Sequence, residues 1–372
     1  MSAKDKKLSK GPLGALFFMV LIPLSYVYRL FFFCNQWWRR CRGGKAVYPF
    51  KIVSVGNISV GGTGKSVVVP WLVRLLGEER CAVVLRGYGG SNERTGKSIL
   101  VSDGQYLLST PAIAGDEAVM HVLNLRCPVV VGANRARSCD LLVSAGFTGV
   151  WWVVLDDAYQ HHSVKKDKEI LLLDGRKPFD NGYCLPAGHL RERDLSRAHV
   201  IIVTHADLLS GAGRRCLRVQ LQQQAPQAAV FFGVHQPRGL YLANQASVEP
   251  GMLAAKRVGV FAGIGNPHNV QQSLEGLGLK DVLLYPLPNH HVYTPATLTA
   301  IMGWARASGI DALVTTEKDW VKVAPCLSLI HSNGIQIIVL RVAFALMPAS
   351  GADVSIAQEL LLATIMANRD EF

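Results

Sequence analysis

Residues 54–66 of this 372-residue chain read SVGNISVGGTGKS, a glycine-rich stretch between two segments of different pattern. The run before it, FKIVSV (50–55), is apolar and β-branched, which predicts a buried strand. The run after it, KSVVVPWLVRLLGEE (65–79), is compatible with a helix, because Pro70 lies close to its N-terminus, where proline is tolerated. The order strand, glycine-rich loop and helix is the context in which such a loop binds phosphate groups.

The second half of the loop, GGTGKS (61–66), fits the phosphate-binding motif GxxxxGK[ST], whose first glycine is replaced here by Ser59. In such a loop the lysine, here Lys65, reaches the outer phosphates, and the hydroxyl of Ser66 ligates Mg²⁺. The motif therefore predicts that the chain binds a nucleotide through its phosphates, together with Mg²⁺. We assign nucleotide binding to Ser59, Val60, Gly61, Gly62, Thr63, Gly64, Lys65 and Ser66.

Short apolar runs recur along the chain and are separated by segments long enough for helices. Continuous apolar strands alternating with helices predict an α/β fold of the P-loop NTPase type, with a mostly parallel sheet covered on both faces. The Gln/Ala-rich stretch 221–229 predicts a boundary between a P-loop domain (46–225) and a second, smaller α/β lobe (226–372). Beyond the first strand and helix, the runs predict strands within 81–90, 128–133, 150–157, 169–175, 199–205, 257–267, 281–286, 312–319 and 335–342, and a helix over 268–278.

The N-terminal segment, residues 1–45, combines an apolar run with most of the positive charge. Residues 11–28 contain no charged residue, and nine Lys or Arg against one Asp give residues 1–45 a net charge of +8 of the chain's +12. Together with Trp37 and Trp38 beside an arginine pair, this predicts a membrane anchor, spanning or interfacial; a buried core helix is the alternative. The weakly charged remainder disfavours a nucleic-acid partner. The eight scattered cysteines favour reduced thiols in a cytoplasmic body.

Acidic residues follow apolar segments at two places. VWWVVLDD (150–157) ends in Asp156 and Asp157, at a strand end that would face the ligand crevice of an α/β sheet; a solvated turn is the alternative. AGDE (114–117) is compatible with a helix start that has Asp116 as N-cap. The spacing of NHH (289–291) leaves general bases, metal ligands and surface histidines open. TTEKD (315–319) ends a predicted strand and could form a polar cluster there.

Eight motifs follow one another between residues 54 and 319: SVGNISVGGTGKS, LRGYGG, AGDEA, LDDAYQHH, LPAGHLRE, GIGNP, PNHHVYT and TTEKD. Together with the apolar, basic N-terminus, this order resembles the tetraacyldisaccharide 4'-kinase family, the lipid A 4'-kinases of Gram-negative bacteria. The resemblance implies a P-loop kinase at the cytoplasmic face of the inner membrane. It would transfer the γ-phosphate of ATP to the 4'-hydroxyl of a lipid A disaccharide 1-phosphate in lipid A biosynthesis. We expect a monomer.

The resemblance also implies roles for residues at matching positions. Asp116 would be the base toward the sugar hydroxyl, assisted by His290. Asp157 and Lys65 would lie at the centre of phosphate transfer. Mg²⁺ would be held by Ser66, Glu117 and Asp156. Substrate binding is assigned to Asn57, Arg86, Gln160, His161 and Arg191.

Three positions depart from the family pattern. Ala158-Tyr159 stands where Gly-Phe is usual, Gly89-Gly90 where Gly-Arg is frequent, and Asn289 where an Asp usually precedes the histidine pair. Asn289 matters most, because an acid beside His290 would raise the basicity of that imidazole. A differently tuned His290 and a shift of its role to His291 both remain open.

Other protein classes use a similar loop. A membrane-surface ATPase of the assembly or switch class carries a lysine just before its glycine pair, where this chain has Val60. A GTP-binding regulator requires an NKxD motif, which TTEKD (315–319) does not supply. A kinase of another membrane lipid or sugar is the remaining alternative.

Overall fold

The computed structural model of the chain describes residues 12–42, 46–289, 291–326, 335–348 and 353–367. The strands are β1 (Lys51–Asn57), β2 (Cys81–Leu85), β3 (Ile99–Asp103), β4 (Pro128–Val131), β5 (Trp152–Asp156), β6 (Lys168–Asp174), β7 (Val200–Thr204), β8 (Ala229–Leu242), β9 (Ser247–Val248), β10 (Val258–Phe261), β11 (Val282–Tyr285), β12 (Ala312–Thr316) and β13 (Gln336–Leu346). The α-helices are α1 (Pro12–Arg42), α2 (Lys65–Leu76), α3 (Pro111–Ala114), α4 (Asp116–Asn124), α5 (Arg135–Ser144), α6 (Gly211–Gln224), α7 (His268–Gly276), α8 (Pro295–Ala307), α9 (Glu317–Val323) and α10 (Val354–Met366).

The thirteen strands of the described residues belong to one sheet. Its order is β11-β10-β12-β13-β8-β7-β6-β1-β5-β2-β4-β3, with β9 paired to β8. Neighbouring strands run parallel except at the β13–β8, β3–β4 and β8–β9 pairs. The predicted mostly parallel α/β fold is therefore confirmed.

Helices cover both faces of the sheet, as the uninterrupted apolar strands predict. Alternate residues of β6 enter two separate cores: Ile170 and Leu172 pack with residues of α2, whereas Leu171 and Leu173 pack with residues of α6. All five residues of β5 are buried. Because β1, β5, β6 and β7 are parallel, their carboxyl ends meet along one edge of the sheet, where α/β proteins bind ligands.

The long strand β8 joins the two halves of the sheet. Residues 229–232 pair in parallel with β7, and the strand then continues as an antiparallel partner of β13 from Gly233 onward. The sequence did not predict this strand. The domain boundary predicted between residues 225 and 226 lies just before it and stays a prediction, since β8 itself hydrogen-bonds to both halves.

The strand predicted over 312–319 is wrong for its last three residues. β12 ends at Thr316, and α9 begins at Glu317. The Thr316 hydroxyl accepts a hydrogen bond from the backbone N–H of Asp319, which is the capping interaction that starts a helix. Lys318 and Asp319 therefore lie in the first turn of a helix and not at the end of a strand.

The N-terminal helix α1 lies against the P-loop half of the sheet. The Ser25 hydroxyl donates to the carbonyl of Cys184 at 2.8 Å, and the ring of Phe18 meets the ring of Tyr183 edge-on at 5.6 Å. Residues 18–38 have a mean hydropathy of 1.5 and are long and apolar enough to cross a membrane, and only 6% of their most apolar window is buried. Length and composition thus agree with the predicted anchor.

Candidate active site

The glycine-rich loop connects β1 to α2 at the carboxyl edge of the sheet. Gly64 has φ 82° at the N-cap of α2, a backbone conformation that favours glycine, and a side chain there would collide with the imidazole of His235. The Thr204 hydroxyl of β7 donates to the carbonyl of Thr63 at 3.1 Å. A hydrogen bond from β7, a strand outside the motif, therefore holds the loop in place.

A short antiparallel pairing fixes the first half of the same loop. The N–H of Val60 donates to the carbonyl of His189 at 2.7 Å, and the N–H of Arg191 donates to the carbonyl of Ile58 at 2.7 Å. Ser59 and Leu190 form the bridge between these two bonds. The LPAGHLRE motif is thus a structural support of the loop, and backbone pairing can hold position 59 without the first glycine of the standard motif.

Lys65 lies between two side chains at the end of neighbouring strands. Its Nζ is 3.0 Å from Asn57 Oδ1 and 3.1 Å from Asp157 Oδ1. Arg191 Nη1 contacts the other oxygen of Asp157 at 3.4 Å. Burial raises the pKa of Asp157, but Lys65 and Arg191 together hold it below its ordinary value, so the carboxylate is ionised.

Gln160 links this group to the loop and to the segment after it. Its Nε2 donates to the carbonyl of Asn57 at 2.8 Å and to Glu192 Oε1 at 2.8 Å. The structure therefore brings together five of the predicted site residues, Asn57, Lys65, Asp157, Gln160 and Arg191, through direct contacts.

Asp156 is buried at the end of β5 and is held by a histidine that the sequence did not single out. Its Oδ2 lies 3.0 Å from Nε2 of His121, a fully buried residue of α4. Its Oδ1 is also buried and has no hydrogen-bond partner among the described residues. A buried carboxylate oxygen without a partner is costly, so this atom has the properties expected of a ligand to a cation.

Asp116 and Glu117 form the first turn of α4. The helix begins at Asp116 itself, and Gly115, with φ 87°, occupies the N-cap position predicted for Asp116. The LRGYGG loop packs directly on this turn: a side chain at Gly90 would collide with the backbone of residues 113–115. The glycine at position 90 therefore has a structural reason, because it allows the LRGYGG loop to lie close to residues 113–115.

Both carboxylates of this turn pair with lysines of α9, from the other half of the sheet. Lys322 Nζ lies 3.0 Å from Asp116 Oδ2, and Lys318 Nζ lies 2.9 Å from Glu117 Oε1. Burial raises the pKa of Glu117, but Lys318, with smaller contributions from His121 and Lys65, outweighs burial and holds the pKa below its ordinary value. The sequence placed TTEKD at a carboxyl edge but gave no reason to expect these two pairs.

The histidine motif follows β11 in the second half of the sheet. His290 lies outside the described residues. Nε2 of His291 is 3.3 Å from the Thr297 hydroxyl, and its ring meets that of Tyr293 edge-on at 5.1 Å. The backbone carbonyl of His291 accepts a hydrogen bond from Lys322 at 3.3 Å. The roles implied for His290 and Asn289 stay predictions.

Two predicted substrate residues make other contacts. Arg86 pairs with Glu93 at 2.7 Å, and His161 contacts the carbonyl of Ala133 and the Ser163 hydroxyl. Arg135, which the sequence did not reveal, is buried behind Asp156 and donates to its backbone carbonyl at 3.2 Å. A buried arginine in an otherwise ordinary helix sequence carries no motif that could have identified it.

Tyr159, which stands where phenylalanine is usual in the family, is also explained by its surroundings. The ring is fully buried, and Arg197 lies over its face at 4.3 Å. A side chain at Gly56 of β1 would collide with the Cβ and backbone of Tyr159, so the residue lies directly against this strand. Its hydroxyl donates to the carbonyl of Asp194 at 3.0 Å. The hydroxyl, which phenylalanine lacks, therefore has a hydrogen-bond partner. The ring packs in the core two residues after the acidic pair Asp156-Asp157.

Comparison with known proteins identifies a family. The sequence model of the family described as tetraacyldisaccharide-1-P 4'-kinase matches residues 17–360. Tetraacyldisaccharide 4'-kinase of Desulfatibacillum aliphaticivorans is 37% identical over 295 residues, covering 75% of this chain and 76% of the relative. The enzyme of that name from Syntrophobacter fumaroxidans is 37% identical over 304 residues, covering 80% and 78%.

A solved structure shares the fold over nearly the whole chain. The crystal structure of LpxK from Aquifex aeolicus in complex with ATP superposes with a TM-score of 0.70 at 24% identity, covering 94% of this chain and 99% of that one. The order of motifs, the sheet and the sequence relatives thus lead to one assignment. The chain belongs to the family of tetraacyldisaccharide-1-P 4'-kinases.

Proposed function

We propose that this chain transfers the γ-phosphate of ATP to the 4'-hydroxyl of a tetraacyldisaccharide 1-phosphate, a precursor of lipid A. Membership of the kinase family supports the reaction class. The structural observation that carries the proposal is the position of α4. Asp116 begins this helix, and His121 of the same helix hydrogen-bonds Asp156 beside the nucleotide loop. The helix α4 thus carries a candidate base for an acceptor and contacts a carboxylate beside the loop for the donor.

The donor site comprises residues 59–66. Backbone N–H groups of the loop and the N-terminus of α2 would bind the phosphates of ATP, and the ammonium of Lys65 would neutralise charge on the transferred group. The present contacts of Lys65 with Asn57 and Asp157 hold its side chain at the mouth of the loop. Positioning and charge neutralisation supply most of the catalysis in phosphoryl transfer, which suits this arrangement.

The oxygen atoms beside the loop fit a magnesium ion. No group of three or more His, Cys, Asp or Glu within the described ranges is arranged to hold a metal, and Mg²⁺ commonly takes only one or two carboxylates together with substrate phosphates. The buried, unpartnered Oδ1 of Asp156 is the clearest candidate ligand. We propose that Asp156, Ser66 and Glu117 would hold the ion. When bound, it would neutralise negative charge on the phosphates.

On the acceptor side, Asp116 would accept the proton of the 4'-hydroxyl, assisted by His290. The hydroxyl oxygen would form a bond to the γ-phosphorus as the bond from that phosphorus to the β,γ-bridging oxygen breaks, and ADP would leave. Asp157 would act beside the transfer centre as an ionised carboxylate, in line with its lowered pKa. We assign contacts with substrate to Asn57, Arg86, Gln160, His161 and Arg191.

The approach to this site from α1 has the charge and polarity expected for an anionic lipid. A cavity of about 600 Å³ opens between α1 and residues 191–197. Aromatic side chains of α1 form one wall. The charged residues of the lining are four arginines, Arg29, Arg191, Arg193 and Arg197, and two acids, Glu192 and Asp194, so positive charge is in excess. We propose that α1 anchors the protein at the cytoplasmic face of the inner membrane, as a monomer, and that the lipid enters along this side.

Purified protein with labelled ATP tests the reaction directly. We expect transfer of label to a tetraacyldisaccharide 1-phosphate in detergent micelles and none to a panel of other membrane lipids. Hydrolysis of ATP at the same rate without any acceptor would favour the switch class of membrane ATPases. Transfer to another lipid in preference to the disaccharide would favour the alternative kinase.

Removal of residues 1–40 tests the membrane proposal separately. Because most of the apolar surface of α1 is exposed, the truncated chain should move from the membrane fraction to the soluble fraction. Its melting temperature, compared with that of the full chain, shows whether the body still folds. Membrane binding by a folded, truncated chain would contradict the anchor and place the lipid contact on the body.

A further inference from the structure

We propose that Lys322 is a positioning residue for phosphoryl transfer, which holds Asp116 beside the backbone of His291. This inference rests on the role proposed above for Asp116. No motif and no comparison assigns a role to Lys322, and its position on a helix follows only from the structure.

One ammonium group bridges two elements that the reaction requires together. Lys322 Nζ lies 3.0 Å from Asp116 Oδ2 and donates to the carbonyl of His291 at 3.3 Å. An ammonium has three donors, so both contacts form at the same time. The side chain of Lys322 is only 13% exposed, which sets this pair apart from surface ion pairs that contribute little. The residue after His290 is thereby tied to the candidate base.

A second ion pair and an apolar contact hold α9 on α4. Lys318, one helical turn before Lys322, pairs with Glu117, the neighbour of Asp116. Val321 of α9 packs with Val119 and Met120 of α4 in a small buried cluster. The two lysines lie four residues apart on α9, so they lie on one face of the helix and meet two adjacent carboxylates.

The backbone of α9 is itself fixed in the second half of the sheet. Asp319 is fully buried, and its Oδ2 accepts from the N–H of Gly263 at 3.1 Å and from the Thr316 hydroxyl at 2.7 Å. A lysine normally loses considerable side-chain entropy when it is ordered. Here the fixed helix and the carbonyl of His291 order the Lys322 side chain, so Asp116 meets a partner whose position is already restricted.

The contact with Lys322 engages one carboxylate oxygen of Asp116, and the other oxygen can take part in the reaction. Lys322 engages Oδ2, and Oδ1 is the oxygen that remains to accept the proton of an acceptor hydroxyl. By fixing the orientation of the carboxylate, Lys322 would determine the direction from which the hydroxyl must approach. A loss of this orientation should affect the rate of transfer more than the binding of ATP.

The test measures kcat and KM for ATP and for the lipid acceptor with the full chain in detergent. Lys322→Met should lower kcat roughly 10- to 100-fold, the loss expected when a reacting group is misplaced by about an ångström. KM for ATP should stay within about threefold, because a residue acting only in the transition state changes kcat. Lys322→Arg, which keeps the charge and the donors, should recover part of the lost rate.

Lys256→Met is the matched control, because Lys256 is an exposed lysine of the same half of the sheet. A kcat of Lys322→Met within about threefold of this control would overturn the proposal, since misplacing the base must cost more. A higher KM for ATP in Lys322→Met, with kcat unchanged, would also overturn the proposal. Should Lys322→Met fail to fold, Lys322→Gln keeps a donor and similar volume and is judged by the same criteria.

A double substitution separates positioning of Asp116 from a general structural role. In single-turnover reactions with labelled ATP, Asp116→Asn combined with Lys322→Met should be no slower than Asp116→Asn alone, because residues that act as a unit are not additive. Losses that multiply would overturn the inference. Normal turnover by Asp116→Asn alone would instead refute the proposed role of Asp116, on which the inference rests. Loss of turnover in Asp116→Asn with normal turnover in Lys322→Met would refute only the role of Lys322.

Discussion

The two halves of the sheet present their polar residues in different ways. In the P-loop half, the residues of the candidate site lie at the carboxyl ends of parallel strands: Asn57 is the last residue of β1, and Asp157 follows β5. Lys65, which follows the glycine-rich loop, joins these two side chains. In the second half, the contacts to the site come from α9, whose lysines reach across to the first turn of α4.

This difference separates two tasks. A site at parallel strand ends is built by the sheet itself, since the strands fix the spacing of their last residues. The helix α9 instead adds two long cationic side chains to a site that belongs to the other half. The P-loop half therefore contains the atoms proposed to bind and transfer phosphate. The lysines of the second half orient the carboxylates of Asp116 and Glu117. Substitutions in each half should produce different kinetic signatures.

The largest effect is expected for Asp116→Ala. Removal of a general base costs about 10²- to 10⁴-fold in rate, so kcat should fall by a factor in this range. Binding of ATP, measured with a fluorescent analogue, should change little, because Asp116 lies on α4 and not on the nucleotide loop. Glu275→Ala, at an exposed carboxylate on α7, is the control. Near-normal turnover of Asp116→Ala would remove Asp116 as the base.

Lys65→Ala should have the next largest effect. Loss of one group that stabilises developing charge lowers kcat by about 10²- to 10³-fold. This substitution should also weaken ATP binding, unlike Asp116→Ala, because Lys65 stands at the mouth of the loop. Lys97→Ala, at an exposed lysine of the same half, serves as comparison. Kinetics indistinguishable from that control would refute the loop assignment.

A smaller effect, on stability, is expected in the second half for Asp319→Ala. The buried carboxylate accepts from Gly263 and Thr316, and its loss leaves the Gly263 N–H without this partner, at a cost of about 1–3 kcal/mol in the free energy of unfolding. Denaturant unfolding measures this loss. Asp311→Ala, at an exposed position of the same half, should cost less. Equal losses in the two variants would mean that Asp319 does not fix α9.

The smallest effect is expected for Tyr159→Phe, which restores the residue usual in the family. The substitution removes the hydrogen bond to the carbonyl of Asp194 and keeps the buried ring, so the free energy of unfolding should fall by about 1 kcal/mol. Turnover should be unaffected, because the ring packs and does not contact the acceptor side. A large fall in kcat with unchanged stability would assign the hydroxyl a role in the reaction.

The sequence predicted the P-loop half well because its signals are local. The strand FKIVSV, the glycines of the loop and the acidic pair after VWWVVL each lie within a few residues of the element that they identify. Asn57, Lys65 and Asp157 therefore meet as the parallel sheet requires.

The contacts between the halves could not be predicted in the same way. Lys318 and Glu117 are 201 positions apart in the sequence, and no sequence pattern around either residue indicates that the two meet. His121 and Arg135 are buried polar residues inside ordinary helix sequences, and their partner Asp156 is known only from the packing of α4 and α5 on β5. The apolar run before Thr316 predicts a strand end at residues 317–319, where helix α9 begins, because the capping hydrogen bond of Thr316 starts the helix.

The pairing of residues 58–60 with 189–191 has a consequence for the choice of acceptor. The segment 184–191, which contains one side of this pairing, also accepts a hydrogen bond from the Ser25 hydroxyl of α1 at the carbonyl of Cys184. On the proposed membrane placement, this segment is a rigid spacer that sets the height of the donor phosphate above the bilayer. A hydroxyl carried nearer to the bilayer, or farther from it, would miss the phosphorus whatever its chemistry. Head-group height then becomes a criterion of selection beside head-group structure.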